Sequence, residues 1–130
     1  MTDTAFDKWL VAYAGALSDG NWPACAKLFT ADAVFLPTPF DRPVRGGEAI
    51  SAWLQAFWTR FGRLNAAAEF IAPGWARWHV AGYLEALEAP SQFDGILNAE
   101  FGPGGACTRL VLWTETLSPS ESDLLRDRDA

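Results

Sequence analysis

The chain has 130 residues, half of them hydrophobic, with seven Trp, nine Phe and a formal net charge of −6. That length suits one domain with a real core, and the aromatic content is more than a small core ordinarily needs, so part of it is expected to line a cavity or a subunit interface. The acidic balance argues against a nucleic-acid partner, which demands clustered Lys and Arg, and no apolar run approaches the roughly 18–20 residues of a membrane span; with an N-terminus, MTDTAFDKW, that lacks signal-peptide character, a cytoplasmic location is expected.

Thr4 and Asp7 can cap a helix, and Phe6, Trp9, Leu10, Tyr13 and Leu17 then recur at the three-and-four spacing of one buried stripe that ends at Asp19-Gly20. Asn21 caps a second, short helix with Pro23 in its first turn and Trp22, Cys25, Leu28 and Phe29 on its apolar face, expected to stop near Ala31-Asp32. Ala33 to Leu36 reads as a short strand, broken into a surface loop by Pro37, Pro39 and Pro43, which cannot donate to a sheet ladder. Gly46-Gly47 opens a third helix with an apolar stripe of Ile50, Trp53, Leu54, Phe57 and Phe61, stopped by Gly62.

Everything after Leu64 reads as strand: 64–72, 75–87, 93–101 and 106–117, separated by Pro73-Gly74, Ala89-Pro90 and a GPGG hairpin tip. Residues 118–130 are polar and charged and are expected to form a flexible acidic tail, outside a single domain of residues 1–117 and with no part in the chemistry. An antiparallel sheet must bury one face, and the helical stripes are the only large apolar surface able to cover it, which predicts an α+β domain with a curved sheet packed on three N-terminal helices.

Few residues offer chemistry. Cys25 and Cys107 are far apart with no CxxC pair and read as small core residues rather than a disulfide; with one His, a metal site has almost no ligands to draw on, and no cofactor is expected. His79 is the one imidazole of the chain and a candidate acid or base, the alternative being a solvated or interface histidine on the outer sheet face. Strand alternation puts Trp75, Arg77 and His79 on one face and Ala76, Trp78 and Val80 on the other. Asp94 beside a buried Arg77 would make a water-activating site, whereas surface placement would make both ordinary charges.

The order helix, strand, Pro-rich turn, helix from Asn21 to Phe57, the Ala31-Asp32-Ala33 strand start, the PFDRPVRGGEAI segment and Asp94-Gly95-Ile96 followed by GPGG and Cys107 together resemble the SnoaL-like and ketosteroid-isomerase-like proteins of the nuclear transport factor 2 superfamily, over about residues 5–116. The resemblance implies a cone-shaped, cystatin-like α+β barrel wrapped around a pocket. It implies that Tyr13 occupies the position of the isomerases' oxyanion-hole tyrosine, but that Leu36-Pro37 stand where the base belongs, Leu97 where a second, protonated Asp belongs and Leu54 where a partner tyrosine belongs. Limonene epoxide hydrolase, another member, activates water with a buried Asp-Arg-Asp cluster, for which Arg77, Arg109, Asp94 and Glu100 are the strand-borne candidates.

The expectation is a pocket for a small hydrophobic molecule, with Tyr13, Asp94 and His79 as candidate catalytic residues. Tyr13, Leu17, Phe35, Trp53, Phe57, Leu97, Leu110, Leu112 and Thr114 are the candidate ligand contacts. The function is a cofactor-free isomerase, cyclase or hydrolase, or alternatively a non-catalytic binding or accessory module. Val111 and Trp113 are expected on the outer sheet face, where a homodimer would cover them.

Overall fold

The computed structural model describes residues 4–117. Helix α1 (Thr4–Asp19) presents its apolar stripe to the sheet, burying Phe6, Trp9, Leu10, Tyr13, Ala16 and Leu17. Helix α2 (Trp22–Ala26) is capped as the sequence predicts, with the Ala24 N–H donating to the Asn21 side chain. It stops well short of Ala31-Asp32. Strand β1 (Phe29–Leu36) begins where the helix was expected to continue, because the backbone is taken up by another strand: the Cys107 N–H donates to the Leu28 carbonyl and Phe29 pairs with Cys107.

The Pro-rich loop after β1 returns as a two-residue edge strand, β2 (Val44–Arg45), which proline spacing alone did not announce. Helix α3 (Gly47–Trp58) then packs against β1, β2 and α2. The approach to α2 is so close that a Cβ at Gly47 would lie 2.6 Å from the Ala26 carbonyl oxygen. The Ser51 hydroxyl donates to the Trp22 carbonyl at 2.6 Å and ties the two helices together.

Four long strands complete the domain: β3 (Phe61–Ala72), β4 (Trp75–Leu84), β5 (Ala89–Phe101) and β6 (Cys107–Leu117). Phe61 therefore heads a strand rather than closing helix α3. Strand β4 ends at Leu84 in a short 3-10 turn, Glu85–Leu87, and Ala89-Pro90, expected as a turn, belong to β5. The sheet order is β2-β1-β6-β5-β4-β3; every neighbouring pair is antiparallel except β1 with β6, which run parallel.

Gly95 explains the Asp94-Gly95-Ile96 pattern. A Cβ there would collide with the Trp113 carbonyl oxygen, so only glycine lets β5 approach β6 this closely. Helix α1 lies on β3, locked by the Ala66 N–H donating to the Ser18 hydroxyl at 2.9 Å and by the Trp9 indole N–H donating to the Leu28 carbonyl at 2.9 Å.

Candidate functional site

The two faces of the sheet differ sharply in chemistry. Along β4 burial alternates, with Ala76, Trp78 and Val80 inside and Trp75 and Arg77 exposed, as the parity of the sequence predicts. The inner face and the helices enclose an interior in which Tyr13, Leu17, Phe35, Leu97, Leu110 and Leu112 are all buried in one cluster. Leu97 pairs with Leu112 across β5 and β6, and Leu110 pairs with Ala99 on one side and Phe35 on the other, so the expected ligand contacts do converge. Thr114 is half-buried.

Trp53 and Phe57 sit higher than the sequence suggests. Both are half-buried, stacked on each other with centroids 5.2 Å apart, while Leu54 and Trp58 reach the core. The stripe of α3 is rotated by about one position because Trp58, absent from the expected stripe, turns inward against Phe93 at 5.0 Å and Trp78 at 6.4 Å.

The interior aromatic rings fall into two groups. Phe6, Trp9, Tyr13, Phe29, Phe70 and Phe101 are linked ring to ring, as are Phe35, Trp53, Phe57, Trp58, Phe61, Trp78 and Phe93, and no ring contact among the described residues joins one group to the other.

Tyr13 stacks on Trp9 at 5.0 Å. Burial, reinforced by the neighbouring Cys25 and Cys107 thiols, drives its phenol far above the usual range, so it is a neutral donor at every physiological pH. Both thiols are free, and burial pushes Cys25 up to about 11 and Cys107 up to about 12, which makes them inert apolar packing. The indole N–H of Trp78 is buried with no hydrogen-bond partner, as are the hydroxyls of Thr30 and Ser91. Trp78 is the donor that sequence reasoning missed. Its strand parity, shared with Ala76 and Val80, was the available signal.

Asp94 and His79 face the other way. They lie opposite one another on β5 and β4, on the outer face of the sheet, so the structure does not bring them together with Tyr13. Arg77 is exposed rather than buried and holds Asp94 in a two-pronged ion pair, 2.8 Å at its shortest. That hydrogen-bonded partner keeps the Asp94 carboxyl below its usual value, the reverse of what a general acid needs. Arg109 and Glu100 form a second pair at 3.7 Å on the surface.

Ile71, Trp75, Ile96 and Trp113 are also exposed, and Trp75 and Trp113 stack with centroids 5.8 Å apart. Val111, expected beside Trp113 on that face, is 2 % exposed: it lies between Leu36 and Asn98 on the neighbouring strands and is covered. Among the described residues no His, Cys, Asp and Glu cluster could hold a metal ion, and no helix is long and apolar enough to cross a membrane.

A family model for the SnoaL-like domain matches residues 10–101. The chain belongs to the SnoaL-like family. A SnoaL-like protein from Shewanella denitrificans OS-217 is 19% identical over 97% of this chain and 99% of its own, with a TM-score of 0.68. A protein of ketosteroid isomerase-like fold from Catenulispora acidiphila DSM 44928, solved in complex with trimethylamine, is 19% identical over 87% of each chain, with a TM-score of 0.63. A Mycobacterium tuberculosis protein, RV0760c, reaches a TM-score of 0.72 at 12% identity, over 90% of this chain and 99% of its own. A search of curated proteins finds no match to this sequence.

Proposed function

We propose that this protein binds a small apolar molecule inside the cone and holds one acceptor atom of it with the Trp78 indole N–H and the Tyr13 hydroxyl. The observation that carries this reading is the buried, unpartnered indole N–H of Trp78, a residue of the inner sheet face, together with a set of buried described residues that includes no carboxylate and no imidazole. A dry donor without an acceptor costs about 1–3 kcal/mol, and a guest carrying a carbonyl or ether oxygen offsets that cost. Isomerisation, cyclisation or hydrolysis needs a group that carries a proton at the reacting atom. The two candidates for that work, Asp94 and His79, stand on the far side of the sheet. The binding module, rather than the enzyme, is therefore the function we favour. A fold neighbour in complex with trimethylamine supports the view that this architecture receives small organic molecules.

The same reading includes a homodimer built on the outer sheet face. Trp75 and Trp113, each 42% exposed, form with Ile71 and Ile96 an apolar patch that water penalises and a second copy would cover.

Isothermal titration with 1-indanone tests the binding claim. Saturable binding of one molecule per chain is expected. Absence of heat and of any spectral change at the solubility limit of the ketone would overturn it.

A further inference from the structure

Phe57 stands on the border between the interior and solvent: its ring is half-buried and touches the buried ring of Phe93, with centroids 6.0 Å apart. Arg60, exposed in the link from α3 to β3, lays its guanidinium 4.5 Å from the Phe57 centroid and 5.5 Å from that of Phe61. Its Nε donates to the Phe57 carbonyl at 3.1 Å, which leaves the N–H groups of both terminal nitrogens to find other acceptors. Among the described residues no ion pair reaches Arg60. The carboxylate of Glu85, whose backbone N–H donates to the Arg60 carbonyl, lies instead against Gly62, its Oε1 3.0 Å from where a Cβ would stand.

A second donor belongs to the same neighbourhood. Ser91 is 3% exposed and its buried hydroxyl has no partner. It lies two positions from Phe93 on the buried side of β5 and pairs with Gly82, where a Cβ would stand 3.2 Å from the Phe61 Cβ. Phe61 therefore has the Arg60 cation over its ring and the Gly82–Ser91 pair at its base.

We infer that the guest carries a carboxylate, and that Arg60 and Ser91 hold it at this border; the inference rests on the reading that a guest occupies the cone. The Nε hydrogen bond and the two rings fix the guanidinium before an anion arrives, so little side-chain freedom is lost on binding. Its fork matches the two oxygens of a carboxylate, and the Ser91 hydroxyl adds a donor that gains an acceptor it otherwise lacks. One cation balances one negative charge, which favours a monocarboxylate over a phosphate dianion.

The test titrates 3-oxoindane-1-carboxylate and its uncharged primary amide into the full chain by calorimetry, with 1-indanone as the reference for the interior itself. The carboxylate is expected to bind the wild type about five- to tenfold more tightly than the amide. That ratio should fall to about one in Arg60→Met, recover in part in Arg60→Lys, and shrink by several-fold in Ser91→Ala. All three variants should fold, because Arg60 is exposed and Ser91→Ala removes a buried hydroxyl that has no partner. Equal binding of carboxylate and amide by the wild type, while 1-indanone binds, would overturn the inference and leave the interior reading standing. A preference for the carboxylate that survives Arg60→Met would also overturn it. Binding of the carboxylate that depends on Arg60, without any binding of 1-indanone, would support the anion site and remove the neutral-guest reading; no binding of any of the three would remove both.

Discussion

Trp75 and Trp113 stack across the intervening strand β5 on the outer face of the sheet, their ring centroids 5.8 Å apart and both rings open to solvent. A pair of this size left in water forgoes the burial that large aromatic rings ordinarily obtain. The homodimer reading predicts that the chain sediments with the mass of two copies at micromolar concentration. Trp113→Arg should convert it to monomer while leaving the far-ultraviolet spectrum intact. A wild-type chain that sediments as a monomer would remove the dimer from the account.

Trp58, not Trp53 or Phe57, anchors α3 in the core: it is 4% exposed and touches Phe57, Phe61, Trp78 and Phe93. Trp58→Ala should therefore cost about 3–5 kcal/mol of stability. Trp53→Ala, at a half-buried position, should cost less, about 1–2 kcal/mol. Urea unfolding of the two variants is the check. Equal losses would mean that the stripe lies where its spacing in the sequence first suggests.

The difference between those two positions shows where the sequence is informative. Helix α1 was legible because Phe6, Trp9, Leu10, Tyr13 and Leu17 keep one period from end to end and all five are buried. The inner and outer faces of β4 were legible for the same reason, since alternation over ten residues admits one phase. Around α3, apolar residues are so dense that Trp53, Leu54, Phe57 and Trp58 permit two neighbouring stripes, and only packing against Trp78 and Phe93 selects one. The end of α2 is set by a partner far away in sequence: β6 captures Leu28 and Phe29 through Cys107, which no local signal near residue 28 records. The candidate site was half legible. Tyr13 and the leucines converge, but the separation of Asp94 and His79 from Tyr13 depends on which sheet face meets the helices.

The Asp94 carboxylate gives a pH-dependent prediction with a definite sign. Arg77 keeps its folded value below the ordinary 3.8, so its contribution to stability is present above that value and is lost as pH falls through the lower one. Both partners are well exposed, so screening keeps the effect small. Asp94→Asn should make the urea midpoint less sensitive to pH between 5 and 2.5 than it is in the wild type. Identical slopes would mean that the ion pair is not populated in solution.

The central claim is that an acceptor atom of a small apolar guest meets the Trp78 N–H and the Tyr13 hydroxyl inside the cone. The most direct measurement is the Trp78 indole N–H resonance during parallel titrations with 1-indanone and with indane, its hydrocarbon counterpart, in the wild type and in Tyr13→Phe. The ketone is expected to move this resonance downfield and to bind more tightly than indane. Tyr13→Phe should weaken the ketone by roughly 0.5–1.5 kcal/mol and leave indane unchanged. A Trp78 signal that ignores both molecules, or a Tyr13→Phe variant that binds ketone and hydrocarbon as the wild type does, would contradict it.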